Sequence, residues 1–197
     1  GVYAYYNNRK RNSQALEYIG HAKAALQDLA GALEAYQQSL TLAQALGDAP
    51  HQAKLQLYLV RTYYDLGQYD LAQQWQQSAL ELAKSLGDQE LLGKVLLAGG
   101  RLLLVQGQPN DALTAYQEAL QITRTLGNQE LVGQSLEGVG GVYEKLKQYE
   151  LAIAPYQQVL TIAQAFNDPT TEGQALDNIA NLYQKLGDPQ QGLFVYQ

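Results

Sequence analysis

Leu46-Gly47-Asp48, Leu86-Gly87-Asp88, Leu126-Gly127-Asn128 and Phe166-Asn167-Asp168 stand forty residues apart and carry one piece of chemistry. Gly47, Gly87 and Gly127 suit the left-handed residue that closes a helix. Asp48, Asp88, Asn128 and Asp168 can accept hydrogen bonds from the first free amides of the next one. A fixed period of roughly 20 to 50 residues marks a chain built from one supersecondary unit stacked on itself. Function in such a chain is sought on a continuous surface rather than in a pocket.

Each forty-residue unit reads as two helices. In the second unit Leu55, Leu59, Val60, Tyr63 and Leu66 follow the three-and-four spacing of one helical face. Gly67-Gln68-Tyr69-Asp70 interrupts that pattern, and Leu71, Ala72, Trp75, Ala79, Leu82 and Leu86 restart it. Pro50 and Pro169 fall in opening turns, where a missing N–H costs little, and Asp188-Pro189 repeats the device inside the last unit. First helices are expected near 13–26, 50–66, 90–106, 130–146 and 170–186, with second helices near 29–46, 70–86, 110–126 and 150–166. Pro155 should remove the hydrogen bond to Leu151 and bend its helix. The array divides into four near-complete repeats, 9–48, 49–88, 89–128 and 129–168, and a truncated fifth, 169–197. The chain contains no methionine, so both ends are read as cut within a longer array, the start being the tail of an earlier helix. Leu182 and Tyr183 should then be less covered than their equivalents.

The composition supports order. Hydrophobic residues make up 46% of the 197 and charged residues only 16%, which favours a largely helical, folded chain. A net charge of −6 repels nucleic acid and anionic lipid, although a local basic patch can still act alone. The absence of cysteine removes disulfides, zinc–thiolate sites and thiol catalysis, and leaves the compartment open. No apolar run approaches the roughly 18 residues of a membrane span, and Gly1-Val2-Tyr3-Ala4-Tyr5-Tyr6 lacks the layout of a signal peptide. The expected setting is a soluble domain, facing the cytoplasm if either side is preferred.

Small residues recur where paired helices must approach, as Ala32, Ala72, Ala112 and Ala152 in the second helices and Gly100, Gly140 and Ala180 in the first. Aromatics keep step with them: Tyr63, Tyr143 and Tyr183, then Tyr36, Tyr116 and Tyr156. Followed by Leu40, Leu80, Leu120 or Leu160, this pattern resembles the tetratricopeptide repeat over nearly the whole chain. The longer period, with Gln56, Leu96, Leu136 and Leu176 in place of the family's early tryptophan, is similar to the repeats of kinesin light chain and of bacterial peptide-sensing regulators. The resemblance implies an all-α fold, a right-handed superhelical solenoid of antiparallel helix pairs.

It further implies that the first helices line a concave groove. Lys54, Leu57, Tyr58, Arg61 and Tyr64 of the second unit, with Lys94, Leu97, Ala98, Arg101 and Leu104 of the third, then face inward. Lys54 with Arg61, and Lys94 with Arg101, are two helical turns apart, so each pair shares a face. Two basic pairs flanking an apolar strip suit an extended or helical peptide with an acidic group, against the plainer alternative of a solvated surface that displays scattered cations. Asn178 and Asn181 are placed where family members use asparagine to hold a peptide backbone, with Gly138 and Gly141 leaving room beside them. Arg9-Lys10-Arg11 would oppose the helix dipole in a first turn and reads as a loop.

No catalytic or metal-binding residues and no cofactor are assigned. His21 and His51 occupy different places in neighbouring units, and no Ser/His/Asp spacing or phosphate-cradling loop is visible. Glu137, Glu144 and Asp177 could gather at an acidic end of the groove and hold a divalent cation weakly. The expected function is a non-enzymatic interaction scaffold that binds a protein or peptide partner in its groove, as adaptor or assembly factor. In a cyanobacterial setting, which the Gln-rich composition suggests, photosynthetic complexes or pigment enzymes are natural clients. The alternatives are a peptide-sensing domain that controls an output domain elsewhere, and a self-associating structural module.

Overall fold

The computed structural model describes residues 2–194 and 196, with the backbone alone at Val2 and Tyr3. Among these residues it is all-α, with ten helices and no strand. They are α1 (Val2–Ala25), α2 (Leu29–Leu46), α3 (Ala49–Asp65), α4 (Tyr69–Leu86), α5 (Gln89–Val105), α6 (Pro109–Leu126), α7 (Gln129–Lys145), α8 (Tyr149–Phe166), α9 (Pro169–Lys185) and α10 (Pro189–Phe194). From α2 to α9 the ends lie within a residue of those expected, because the turn chemistry that marks them is local. Asp48, Asp88, Asn128 and Asp168 each accept from a backbone amide of the following first turn. Gly47, Gly87 and Gly127 hold φ of 65°, 67° and 70°, and Asn167 serves the same role at 53°. Turns inside the helix pairs also need a left-handed residue. There the register supplies Gly67, Gly107 and Gly187, but Gln27 and Lys147 take positive φ without being glycine.

The chain divides into two compact units, Gly1–Leu102 and Leu103–Gln197. In the first, Tyr36, Leu40, Leu55, Leu59, Val60 and Tyr63 form a core, with Trp75 and Ala98 packed against it. Each such side chain contributes roughly 1.5–3 kcal/mol when fully buried. Ala32 and Ala72 are wholly buried within this core, where a larger group would push the helices apart. In the second unit, Val132, Leu136, Val159 and Ala175 form one cluster, and Ala152, Tyr156, Ile179 and Leu182 another. A Cβ on Gly140 would lie 2.8 Å from the Tyr156 ring, so α7 meets α8 through that ring.

Four expectations are corrected. Residues 9–11 are not a loop, and the chain does not start with the tail of a separate helix. Both belong to α1, which begins at Val2, so the basic run lies beyond the first turn and its dipole penalty does not apply. Arg9 instead covers the Tyr5 ring at 4.6 Å, and Lys10 reaches Asp48 at 3.7 Å. Pro155, by contrast, sits buried inside a continuous α8 without an N–H to give Leu151, as the sequence requires, since a proline removes one donor without having to end the helix. Leu182 is fully buried, because α8 and α10 both pack against α9. Gly138 leaves no room for a ligand: its Cβ position is 2.4 Å from the Tyr116 ring, so its space is taken by helix packing.

Candidate functional site

Unit 1 carries most of the basic face that the sequence points to. Tyr58 and Tyr64 of α3 and Ala98 of α5 pack on one core cluster. Lys54, Arg61 and Arg101 are exposed, whereas Lys94 is half-buried and tied to Glu90 one turn earlier on its own helix. Among the described residues neither Lys54 nor Arg101 has an ion-pair partner. Leu57 and Leu97 are 3% and 5% exposed, so they belong to the interior rather than to a surface strip. The apolar part of this face is therefore the half-buried Tyr58 and Tyr64. Leu104 is half-buried at the start of unit 2. Asn178 is half-buried and Asn181 exposed, both on α9.

Beneath Arg61 lies an aromatic and acidic network. Tyr58 stacks on Tyr36 with ring centroids 5.4 Å apart, and meets His21 edge-on at 4.5 Å. His21 Nδ1 is 2.8 Å from the Tyr36 hydroxyl. Burial, then the charges of Tyr58 and Glu17, push the Tyr36 hydroxyl up to about 12. Burial, then the charge of Glu17 and its hydrogen bond, also raise Tyr58, so both rings stay neutral donors at physiological pH.

The sequence reading missed a second constellation in the same unit. Ser13 Oγ donates to the Ser39 carbonyl at 2.9 Å, and Ser39 Oγ returns the bond to the Ser13 carbonyl at 2.7 Å. His51 Nε2 stands 3.0 Å from Ser13 Oγ, while His51 Nδ1 is 3.5 Å from Glu17 Oε2. A serine, a histidine and a carboxylate in line suggest nucleophilic chemistry, but Ser13 is 1% exposed and its proton is given to a carbonyl. The group is a buried clasp joining α1, α2 and α3. Its sequence signal lay in the repeat columns: His51 shares a column with Leu91, Leu131 and Thr171.

Unit 2 differs. A cavity of about 770 Å³ opens among α7, α8 and the first turn of α9. Val159, Ile162 and Phe166 supply its apolar wall, while Glu130, Glu137 and Asp168 put carboxylates around it. The carboxylates suggested as a weak cation site do not form one. Glu144 accepts from Lys185 at 2.7 Å and from the Tyr156 hydroxyl at 2.8 Å, and Asp177 accepts from Tyr196 at 2.6 Å. Among the described residues no three carboxylate or imidazole groups gather for a metal. Nor is any helix of the described residues long and apolar enough to cross a membrane.

Helix pairs repeated at one register define a helical-repeat protein. The tetratricopeptide-repeat profile matches residues 12–85, 93–165 and 131–197, and the chain belongs to that family. Repeats of this family are in general non-catalytic and serve protein–protein interaction. The fold is similar to that of a signal-transduction ATPase with numerous domains from Pyrococcus horikoshii that carries a tetratricopeptide-repeat sensor. That match has TM-score 0.84 at 19% identity and covers 94% of this chain but 28% of the other. A Rap protein crystallised with competence and sporulation factor aligns with TM-score 0.81 at 17% identity, over 94% of this chain and 52% of its own. The kinesin light chain-like repeats of Podosopora anserina align with TM-score 0.78 at 16% identity, over 95% and 92%. This chain thus spans about a quarter of the ATPase and half of the Rap protein. No curated protein matches the sequence significantly.

Proposed function

We propose that the chain is an adaptor or assembly factor that holds an acidic segment of a partner protein against α3 and α5 of unit 1. The observation that carries this reading is the set of exposed cations, Lys54, Arg61 and Arg101, beside the half-buried Tyr58 and Tyr64. Guanidinium groups pair in bidentate fashion with carboxylates, and the tyrosines add apolar contact next to them. Helices ordered in advance limit the entropy lost by the receptor when a flexible segment docks. In unit 2, taken by itself, Asn178 and Asn181 on α9 would offer amide contacts to a peptide backbone of their own, since each side chain donates and accepts.

The test is affinity capture with the intact chain beside its Arg61→Ala/Arg101→Ala variant, read by mass spectrometry. Partners should be lost from the variant, and binding of an isolated acidic peptide should weaken by about tenfold or more. Equal capture by both proteins would reject the assignment. The second reading, a peptide sensor that governs an output domain, draws on the similarity to a Rap protein crystallised with competence and sporulation factor. A change in the hydrogen-exchange protection of unit 1 on peptide addition would favour it over a passive adaptor.

A further inference from the structure

We propose that the cavity of unit 2 takes up a bulky apolar side chain, leucine or phenylalanine in kind, from a partner protein segment whose neighbouring residues are neutral or basic. The argument comes from the chain's own register. Shifting by two repeats carries Ala53 to Gly133, Leu57 to Glu137, Ala79 to Val159 and Leu91 to Thr171. A shift by three repeats carries Ser13, Glu17, Ser39 and His51 to the same four residues. All four line the cavity.

In unit 1 these positions are filled. The second repeat closes them with hydrocarbon, since Ala53, Leu57, Ala79 and Leu91 are all buried. The first repeat closes them with the clasp around His51. In unit 2 the two leucines are exchanged for polar residues that are turned to partners of their own. Thr171 gives its hydroxyl to Asp168 Oδ2 at 2.6 Å, within the cap of α9, and Glu137 is already engaged. Gly133 has nothing within 4 Å of its Cβ position. What remains is a space of about 770 Å³, within the usual range of ligand pockets.

The lining decides what suits that space. Its acidic groups already have partners: Glu130 accepts from Gln134 Nε2 at 3.3 Å, and Asp168 accepts from the amides of Thr170 and Thr171. An occupant therefore gains little by hydrogen bonding to them. Hydrocarbon is left over. Val159, Ile162 and Phe166 of α8 form one wall, and Phe166 is 65% exposed. Covering this wall with an apolar group removes surface from water, the term that drives most protein association. The second repeat shows the size that fits, because leucine is what closes the matching place there. Charge narrows the choice further. Among the described residues of the lining are three carboxylates and no basic side chain, which disfavours a fatty acid or an acidic residue beside the anchor. A protein segment also accords with the interaction role general in this family. The site belongs to unit 2 alone, so the proposal does not rest on the reading of the basic face of unit 1.

Calorimetric titration of the full chain tests this with a short end-blocked peptide bearing a central Leu-Phe pair between lysines, beside the same peptide with Ser-Ser. The Leu-Phe peptide should bind at least tenfold more tightly than the other. Gly133→Leu, which puts a leucine side chain into the open space, should abolish binding and raise the melting temperature, since leucine also favours the helix over glycine. Phe166→Ser, at an exposed position, should weaken binding about tenfold while the helical circular dichroism is kept. Decanoate should not displace the peptide. Arg61→Ala/Arg101→Ala should leave binding unchanged, which separates this proposal from the one for unit 1. Equal binding of the two peptides, binding that survives both Gly133→Leu and Phe166→Ser, or displacement by decanoate would overturn it.

Discussion

Between α1, α2 and α3 the chain fills its interior with Ser13, Ser39 and His51, while between α7, α8 and α9 the same register positions hold Gly133, Val159 and Thr171 around a cavity. From the end of the first helix onward the backbones follow one template, with α2 and α3 matching α8 and α9 in their bounds and matching αL closures at Gly47 and Asn167; only α1 differs, extending further at its start than α7. Within that template the side chains differ. In a repeat protein each layer touches only its neighbours, so one layer can exchange a polar clasp for an open pocket without loss of the fold. The second repeat shows a third solution: Ala53, Leu57, Ala79 and Leu91, at the same positions, are all buried and apolar. Side-chain chemistry in this chain is thus varied layer by layer on a repeated frame.

The comparison breaks most sharply at His51. His51→Ala leaves Glu17 and two serine hydroxyls facing a vacated interior, and should cost about 2–4 kcal/mol in urea unfolding. Thr171→Ala at the matching position should cost several-fold less, because the cavity already leaves that side chain without core packing. Equal losses would mean that the clasp contributes nothing beyond packing.

A smaller effect separates the two register-matched tyrosines, Tyr36 and Tyr156. Both are raised by burial, and Tyr156 further by its hydrogen bond to Glu144. An unfolded tyrosine titrates near 10, so the unfolded chain releases this proton first. The stability each ring contributes is complete below pH 10 and falls as pH rises through the folded value, about 12 for Tyr36. For Tyr36 alone the loss is of order 2 kcal/mol. Tyr36→Phe, less stable at pH 8 for want of the His21 bond, should show a flatter alkaline decline when melting is followed from pH 9 to about 12.

The smallest expected effect concerns Gln56, which occupies the column of Leu96, Leu136 and Leu176. Its Oε1 is buried and has no hydrogen-bond partner among the described residues. Gln56→Leu should raise stability by about 1–2 kcal/mol, while Leu136→Gln in unit 2 should lower it by at least as much.

Helix ends were readable because their causes sit within a few residues. Asp48 caps the amide of His51, three positions on, and Gly47 closes the helix by its own dihedral angles. The periodic spacing of Leu55, Leu59 and Val60 likewise predicted which side would be buried. Spacing failed at Leu57 and Leu97, where a helical wheel shows the direction of a side chain but not how far the neighbouring helix covers it. It failed also at Ser13, Glu17, Ser39 and His51, which lie on three helices with up to 38 residues between bonded partners. Reading the columns of the repeat would have marked His51 as the odd member, though not its bond to Ser13.

The forty-residue period, the caps and the small-residue columns alone determined that this chain is an all-helical tetratricopeptide array, because each acts through local backbone geometry or through a pattern repeated often enough to be read. Only the tertiary structure decided which surfaces are open. Whether Leu57 lies inside, whether His51 meets Glu17 and whether Gly133 faces empty space depend on how helices from successive pairs converge. That convergence is set by packing among side chains distant in sequence, which no single stretch of the chain encodes.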